Sequence, residues 1–92
     1  MADLRKAARG RPCELRLHGV CRHDLETTVL AHIRRANTAG VGQKPPDVCA
    51  VIACEACHAV LDGRAGSVRA SDGDILDGLL RTLATWSREG LI

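Results

Sequence analysis

Four of the five cysteines in this 92-residue chain fall into two pairs that lie far apart in the sequence. Cys54 and Cys57 form a C-x-x-C turn, a spacing that places two thiolates on one tetrahedral metal ion. Cys13 and Cys21 are more widely spaced, but Gly19 between them supplies a turn that can bring their sulfurs together. The pattern predicts a four-cysteine zinc site that joins the two segments.

The rest of the composition explains why such a chain needs a metal. It has one Trp, no Tyr and no Phe, so its core is aliphatic and thin. A domain of this length buries only about 60–65% of the surface that its unfolded chain exposes. A metal that closes a long loop adds most to folding in such a case.

The odd cysteine count argues against a closed disulfide framework. Residues 1–6 lack the apolar segment of a secretory signal, and no apolar run reaches the roughly 18 residues that cross a bilayer. These features predict a cytoplasmic protein, not a membrane protein, whose cysteines are metal thiolates.

Three alternatives to this ligand set stay open. The C-x-x-C turn could be a redox pair, although no βαβ pattern surrounds it. His18 or His23 could replace one of the first two cysteines as a ligand. Cys49 could be a ligand too, but its apolar surroundings favour a buried free thiol.

The sequence of the first half of the chain predicts little helical structure. Residues 1–12 are polar and basic and are interpreted as an N-terminal arm or a short helical turn. Residues 13–21 alternate polar and apolar side chains, which predicts a tight hairpin, and residues 27–33 predict a strand. Glycines and prolines predict a loop over residues 36–47.

The second half predicts two helices. Residues 48–53 fit a strand or a short helix, and periodicity does not decide between them. A short helix over residues 58–62 should end at Gly63, and Ser71 or Asp72 can cap a final helix that runs to about Arg88. Its predicted core-facing positions are Ile75, Leu76, Leu79, Leu80 and Leu83, with Trp86 beside them.

Charge is unevenly distributed along the chain. Residues 1–35 carry eight basic and four acidic residues, whereas residues 36–92 carry five and seven, which gives +4 and −2 and the net +2. Eleven of the thirteen cations are Arg, which suits bidentate contacts with phosphate. The basic half predicts a nucleic-acid surface, and an ordinary solvated surface is the alternative.

Two histidines outside the cysteine pairs are candidates for chemistry. His58 and Asp62 are four residues apart, so on a helix they share one face and could hold a second, catalytic cation. A simple surface ion pair is the alternative. His32 lies in the predicted strand, where a packed core histidine is the alternative to a functional one.

These motifs together resemble the HNH, or ββα-metal, nucleases, and most closely the YbcO-like family of small phage and prophage nucleases. The matching stretches are residues 1–11, Cys13 with residues 19–21, residues 26–27 and 29–34, residues 44–47, residues 52–54 and residues 56–58. The resemblance implies a small α+β, zinc-stabilised chain that forms a single HNH-like nuclease domain over residues 1–92, with a ββα-metal core and a C-terminal helix over residues 71–88.

The resemblance also implies roles for individual residues. His32 would be the general base, and His58 would take part in catalysis as a metal ligand with Asp62 as the second ligand. Asp47 is the nearest match to the middle residue of the HNH pattern. Many HNH sites carry a metal-binding residue immediately before the base, whereas this chain has Ala31, which has no donor atom.

The implied function is a metal-dependent endonuclease that hydrolyses phosphodiester bonds in DNA. Arg34 and Arg35 would bind phosphates beside His32, and Arg5, Arg9 and Arg11 could follow the backbone. The implied cofactors are a structural Zn²⁺ and a catalytic Mg²⁺ or another divalent cation. The alternatives are a non-catalytic zinc module that binds DNA or protein, and a protein that dimerises through its final helix.

Overall fold

The computed structural model describes residues 2–35 and 45–92 as three helices and one two-stranded antiparallel sheet. The elements, in chain order, are α1 (Leu4–Ala8), a 3₁₀ turn (Leu25–Thr27), β1 (Val29–His32), β2 (Ala50–Ala53), α2 (Glu55–Leu61) and α3 (Asp72–Arg88). This is a small α+β architecture, as predicted. Met1 and residues 36–44, most of the predicted loop, lie outside the described residues.

The sheet is covered on both faces, and this explains why its second strand is apolar throughout. β1 and β2 pair from Val29↔Ala53 to His32↔Ala50. Alternate residues of β2 join two hydrophobic clusters, one around Trp86 and α1, the other around Leu15, Val60 and the cysteines. A strand buried on both faces lacks polar alternation, so residues 48–53 could not be assigned from periodicity.

Residues 1–12, predicted as an arm or a helical turn, contain the helix α1. The Asp3 side chain caps it by accepting a hydrogen bond of 3.2 Å from the backbone N–H of Lys6. Leu4 and Ala8 are buried in the cluster that contains Trp86. The opposite side of α1 is left to solvent with its basic side chains, and it therefore brings positive charge next to β1.

The predicted hairpin over residues 13–21 is wrong, because the described structure has turns there and no strand. Leu15 and Leu17 are buried, as the alternation indicates. The chain cannot stay extended, however, because Arg16 and Gly19 have positive φ values of 49° and 72°. The backbone N–H of Leu15 donates to the carbonyl of Ile52 in β2 instead of to a partner within the segment.

The final helix is confirmed from its Ser71 cap to Arg88, but two of its predicted core positions are wrong. Leu76 and Leu80 are each 54% exposed, and the fully buried residues of the helix are instead Gly78, Thr82 and Trp86. The helix lies so close to the sheet at Gly78 that the smallest residue marks the buried face. Leu76 and Leu80 are turned away from it, while Leu79 and Leu83 pack at its edges. In the described residues, no helix has the length and hydropathy to cross a membrane.

Candidate metal centre and catalytic groove

The four predicted cysteines lie together. The sulfurs of Cys13, Cys21, Cys54 and Cys57 are all within 4.8 Å of one another, and those of Cys21 and Cys54 are 3.9 Å apart. A tetrahedral zinc site with Zn–S bonds of about 2.3 Å places its sulfurs about 3.8 Å apart. The cysteines therefore fit a single metal ion, and no reorganisation of the fold is needed to bind it.

The other ligand candidates fit less well. Cys49 is half-buried and is not part of the sulfur cluster, and His18 is exposed. His23 is the nearest histidine, with its Nδ1 atom 3.7 Å from the sulfur of Cys21. It lies beside the cluster, and four sulfurs already complete a tetrahedral set.

Turns of the backbone hold the first two sulfurs in place. The N–H of Arg16 donates to the sulfur of Cys13 and the N–H of His23 to that of Cys21, both at 3.4 Å. Among residues 2–35 and 45–92, Arg16 and His23 are also the two non-glycine residues with positive φ values, 49° and 53°. Such a conformation is uncommon for residues with a Cβ atom, so the chain adopts it where it must bend around a sulfur.

The sulfurs differ in how readily they ionise. Burial opposes ionisation of Cys54, but hydrogen bonds from the backbone N–H groups of Cys57 and Arg22 outweigh it and lower its pKa to about 7. Burial raises the pKa of Cys57 and of Cys21 above the ordinary thiol value. A bound cation would supply the positive charge that makes four clustered thiolates compatible with one another.

Helix α2 connects this cluster to a second group of polar residues. It begins after Cys54, and Cys57 on its first turn is fully buried among the sulfurs. The next residue, His58, is half-buried, and its Nε2 atom lies 3.0 Å from Oδ2 of Asp62 one turn later. The predicted pairing of His58 with Asp62 on one helix face is therefore present in the structure.

A groove of about 410 Å³ brings these two residues together with His32 of β1. Its floor includes Val29 and Leu30. Its polar lining consists of His32, His58, Asp62, Arg5, Arg9 and Arg34. Three elements thus contribute to one site: β1 provides one histidine, α2 the other with its carboxylate, and α1 two of the arginines.

His32 is held by a chain of polar contacts. Its Nε2 atom lies 2.7 Å from Oδ1 of Asp47, and its side chain is only 7% exposed. The Nε atom of Arg5 lies 3.4 Å from the same carboxylate oxygen. The hydrogen bond to His32, with the nearby charge of Arg5, lowers the pKa of Asp47, so this carboxylate is ionised near neutral pH.

An ionised carboxylate only accepts hydrogen bonds, and this fixes the protonation of the ring. The hydrogen of neutral His32 must be on Nε2, which donates it to Asp47. The Nδ1 atom is then left with a free lone pair. The imidazole is therefore oriented and prepared to accept a proton at Nδ1.

The His58 and Asp62 pair suits a divalent cation in part. Two ligand atoms at right angles on an ion with bonds of about 2.1 Å lie about 3.0 Å apart, which matches the separation of Nε2 and Oδ2. The cysteine cluster is the one group of three or more metal-binding side chains in the described residues. An ion at His58 and Asp62 would therefore need further oxygens from water or phosphate.

The other arginines that were predicted to bind phosphate have different environments. Arg34 is exposed and lines the groove, whereas Arg35 pairs with Asp72 at 2.6 Å. Arg11 lies elsewhere, over the ring of Trp86 and paired with Glu89.

Sequence reasoning missed one residue near the site. The guanidinium of Arg64 lies 3.4 Å from Oδ2 of Asp62. Its position directly after the Gly63 helix stop is the signal that could have indicated it, since a residue there stays close to the last turn of α2.

Comparisons with known proteins give a consistent result. A family model described as "Putative nuclease YbcO" matches residues 2–91. Proteins named "Putative nuclease YbcO", from Escherichia coli K12, and "Putative nuclease ybcO", from Enterobacteria phage 82, are each 52% identical to the chain. Each alignment covers 100% of this chain and 98% of the relative.

A solved structure is also similar, that of "a putative bacteriophage protein from Escherichia coli str. K-12 substr. MG1655". Its TM-score is 0.74 and its identity 44%, over 96% of this chain and all of that one. The fold described above is therefore shared with an experimentally determined protein over almost its whole length.

Proposed function

The chain belongs to the YbcO family, and from this premise we propose that it is a metal-dependent endonuclease that hydrolyses phosphodiester bonds in DNA. The family's name indicates a nuclease, and hence a nucleic-acid substrate. One observation carries the finer proposal: His32, His58 and Asp62 line the same arginine-rich groove. We further propose that β1, β2 and α2 form the ββα-metal core of an HNH-type domain that spans the chain, in the cytoplasm of its host.

In this proposal His32 is the general base. Its Nδ1 lone pair accepts a proton from the attacking water, while Asp47 holds the ring through Nε2 and stabilises the charge that develops on it. Asp47 thus takes the place of the middle residue of the HNH pattern as a positioning residue. Arg5 lies on the same carboxylate oxygen and limits its movement.

The other half of the site stabilises the phosphate. A divalent cation such as Mg²⁺, when bound, would supply Lewis-acid stabilisation of the phosphate and of the leaving oxygen. His58 and Asp62 would hold it, and both side chains are less than one-third exposed. Arg9 and Arg34, on the same groove, offset the negative charge that grows on the phosphorus oxygens.

The cysteine cluster has a structural role in the same proposal, with Zn²⁺ as its ion. Four thiolates and no open position are typical of structural zinc rather than catalytic zinc. The cluster fixes the first turn of α2, and His58 directly follows one of its ligands. Zinc at Cys57 would therefore set the position of His58 in the groove without contacting the substrate.

Nicking of supercoiled plasmid at low salt tests the function. The purified protein is assayed with Mg²⁺, Mn²⁺ or Ni²⁺, beside the His32→Ala variant and a matched His18→Ala control, since His18 is exposed and outside the groove. We expect nicking by the wild type and the control. The His32→Ala variant should lose about 10²- to 10⁴-fold, the usual contribution of a general base.

Zinc content and circular dichroism of each variant separate loss of chemistry from loss of fold. If His32→Ala is folded, contains zinc and nicks plasmid as fast as the wild type, then His32 is not the base. If the folded, zinc-loaded wild type does not cleave with any of the three ions, the endonuclease proposal is wrong.

A non-catalytic zinc module that binds DNA is the second candidate. Ala31 favours it, because it is fully buried and has no donor atom at the position that often ligates metal in HNH sites. The groove also offers an ion only two protein ligands among the described residues. The same plasmid experiment distinguishes this module from the endonuclease, since the module would shift the mobility of the plasmid without nicking it.

A further inference from the structure

The catalytic groove continues into two neighbouring grooves. On the α1 side, a groove of about 350 Å³ shares Arg5 and Arg9 with it. On the α2 side, a groove of about 680 Å³ shares Arg34 and Asp62 with it. Because they share lining residues, the three grooves adjoin one another, and together they are called the furrow; His32 and His58 line the groove that adjoins both of the others.

Cations line the furrow on both sides of the candidate catalytic residues. The α1 side has Arg5, Lys6 and Arg9, and the α2 side has Arg34, Arg35 and Arg64. Neither Arg9 nor Arg34 has an ion-pair partner among residues 2–35 and 45–92. The furrow therefore offers unneutralised positive charge before and after the point of cleavage.

α1 is positioned to present its cations together. Arg5 lies in α1 and Arg9 is the residue that caps its C-terminus, and both side chains line the catalytic groove and the groove on the α1 side. The opposite face of the helix is fixed to the core by Leu4 and Ala8. This wall of the furrow is thus held by packing and does not depend on bound substrate for its order.

The chain has no exposed Phe, Tyr or Trp on which an unstacked base could stack. Trp86 is its one aromatic residue among Phe, Tyr and Trp, and it is fully buried. Proteins that bind single strands combine a basic groove with exposed aromatic side chains that stack on the bases. This furrow has the basic groove alone, which suits the sugar–phosphate backbone of DNA whose bases remain stacked.

We infer that the furrow binds double-stranded DNA through its backbone on both sides of the scissile phosphate, with α1 as one phosphate-binding wall and Arg34 and Arg64 as the other. The inference rests on the proposed function and names the form of its substrate. It assigns α1 and Arg9 a role in binding the DNA backbone, in addition to the parts that Arg5 and Arg9 have in the proposed catalytic site. Recognition by phosphate contacts alone is independent of base sequence and steeply dependent on salt.

Binding is measured on the His32→Ala variant, so that cleavage does not interfere. The probe is a fluorescent duplex of about 20 base pairs, which is longer than the 37 Å maximum extent of the molecule. The same labelled strand alone is the second probe. Fluorescence anisotropy at several salt concentrations gives the affinity and its salt slope for each.

The inference predicts tighter binding of the duplex than of the single strand. Arg9→Gln and Arg64→Gln, one on each wall, should each reduce the salt slope by about 0.9. Referred to 1 M salt, that loss corresponds to about fifteenfold weaker binding at 50 mM salt and about fourfold at 200 mM. Arg88→Gln is the matched control, because Arg88 is exposed on α3 and lines none of the three grooves.

Three results would overturn the inference: tighter binding of the single strand, an unchanged slope in either wall variant, or an equal effect of Arg88→Gln. Because binding is measured without cleavage, the proposed function can fail separately. A duplex bound in the predicted way by a protein that never nicks plasmid would keep this inference and remove the nuclease.

Discussion

The sulfur cluster and the groove lie at neighbouring positions of one helix, yet they are built in opposite ways. The cluster has four donors, all from the chain, three of them fully buried. The groove has two candidate donors, His58 on α2 and Asp62 at its C-terminal cap, each about one-quarter exposed, and an open rim of arginines. A closed donor set serves folding, whereas an incomplete and open one leaves room for a substrate.

Under the proposed function, the comparison implies that the cluster serves stability and the groove serves activity. Changes in the cluster should reduce the free energy of unfolding and metal content, and should affect activity only through them. Changes in the groove should reduce cleavage while the fold and the zinc remain. Each prediction below would break or sharpen that division.

The largest expected effect is that of Cys54→Ser. It removes a buried thiolate from the cluster, and the remaining three sulfurs no longer complete a tetrahedral site. Binding of a structural zinc is worth about 10–16 kcal/mol in zinc-finger peptides, and a typical domain is stable by about 5–15 kcal/mol. We therefore expect loss of bound zinc and of cooperative thermal unfolding, measured by metal analysis and circular dichroism.

Cys49→Ser is the matched control, since it makes the same change at a half-buried cysteine outside the cluster. It should keep its zinc and unfold within a few degrees of the wild type. Cobalt substitution adds a spectroscopic check, because four thiolates on Co²⁺ give a distinct visible spectrum. If Cys54→Ser retains zinc and a near-normal melting temperature, the cluster does not hold the fold together.

The next effect belongs to the groove. Asp47→Asn keeps the shape of the side chain but removes the charge that fixes the hydrogen on Nε2 of His32. Loss of this orientation should lower the cleavage rate about 10²- to 10⁴-fold. The side chain of Asp47 is 39% exposed, so stability should change little.

Plasmid nicking and DNA binding are measured together for this variant. If Asp47 is a positioning residue, cleavage falls while the dissociation constant of the duplex stays within about threefold. If its role is merely structural, the variant loses cleavage, affinity for the duplex and zinc together. Because hydrogen bonding to His32 and the charge of Arg5 lower the pKa of Asp47, its ionisation should not limit the rate near neutral pH. Asp47→Glu, which restores the charge, should recover part of the rate.

The sequence predicted well those features that depend on neighbours along the chain. The Ser71 cap, the Gly63 stop and the His58–Asp62 pair follow from local rules about helix ends and helix periodicity, and all are present. The four-cysteine cluster was also predicted, because metal ligation restricts residue type and spacing. The resemblance to the YbcO family was confirmed by a model match over residues 2–91.

Features that depend on distant contacts were not predictable in this way. The backbone N–H of Leu15 donates its hydrogen bond to the carbonyl of Ile52 in β2, and no local pattern in residues 13–21 specifies this contact. The contact of Asp47 with both His32 and Arg5 joins three separate segments, so sequence reasoning found Asp47 only through the family pattern. Likewise the leucine pattern of α3 placed Leu76 and Leu80 in the core, whereas the packing at Gly78 leaves both exposed.

The smallest expected effect tests that packing, on the stability side of the comparison. A Cβ atom at Gly78 would lie 3.0 Å from Cδ1 and 3.2 Å from Cα of Leu15, and 3.2 Å from Cγ1 of Val51. The Leu15 backbone cannot move freely, because its N–H is bonded to β2. Gly78→Ala should therefore destabilise the protein by about 1–3 kcal/mol, as overpacking of a core does.

Gly73→Ala on the same helix is the control, since its Cβ atom would meet only Oγ of Ser71 at 3.8 Å. This change should be neutral or stabilising by up to about 1 kcal/mol, because Ala favours helix over Gly. Chemical denaturation of both variants gives the two free energies of unfolding. If Gly78→Ala is as stable as Gly73→Ala, α3 does not lie against the sheet at Gly78. If it instead loses nicking activity without losing stability, the division between a fold-holding region and a catalytic groove fails.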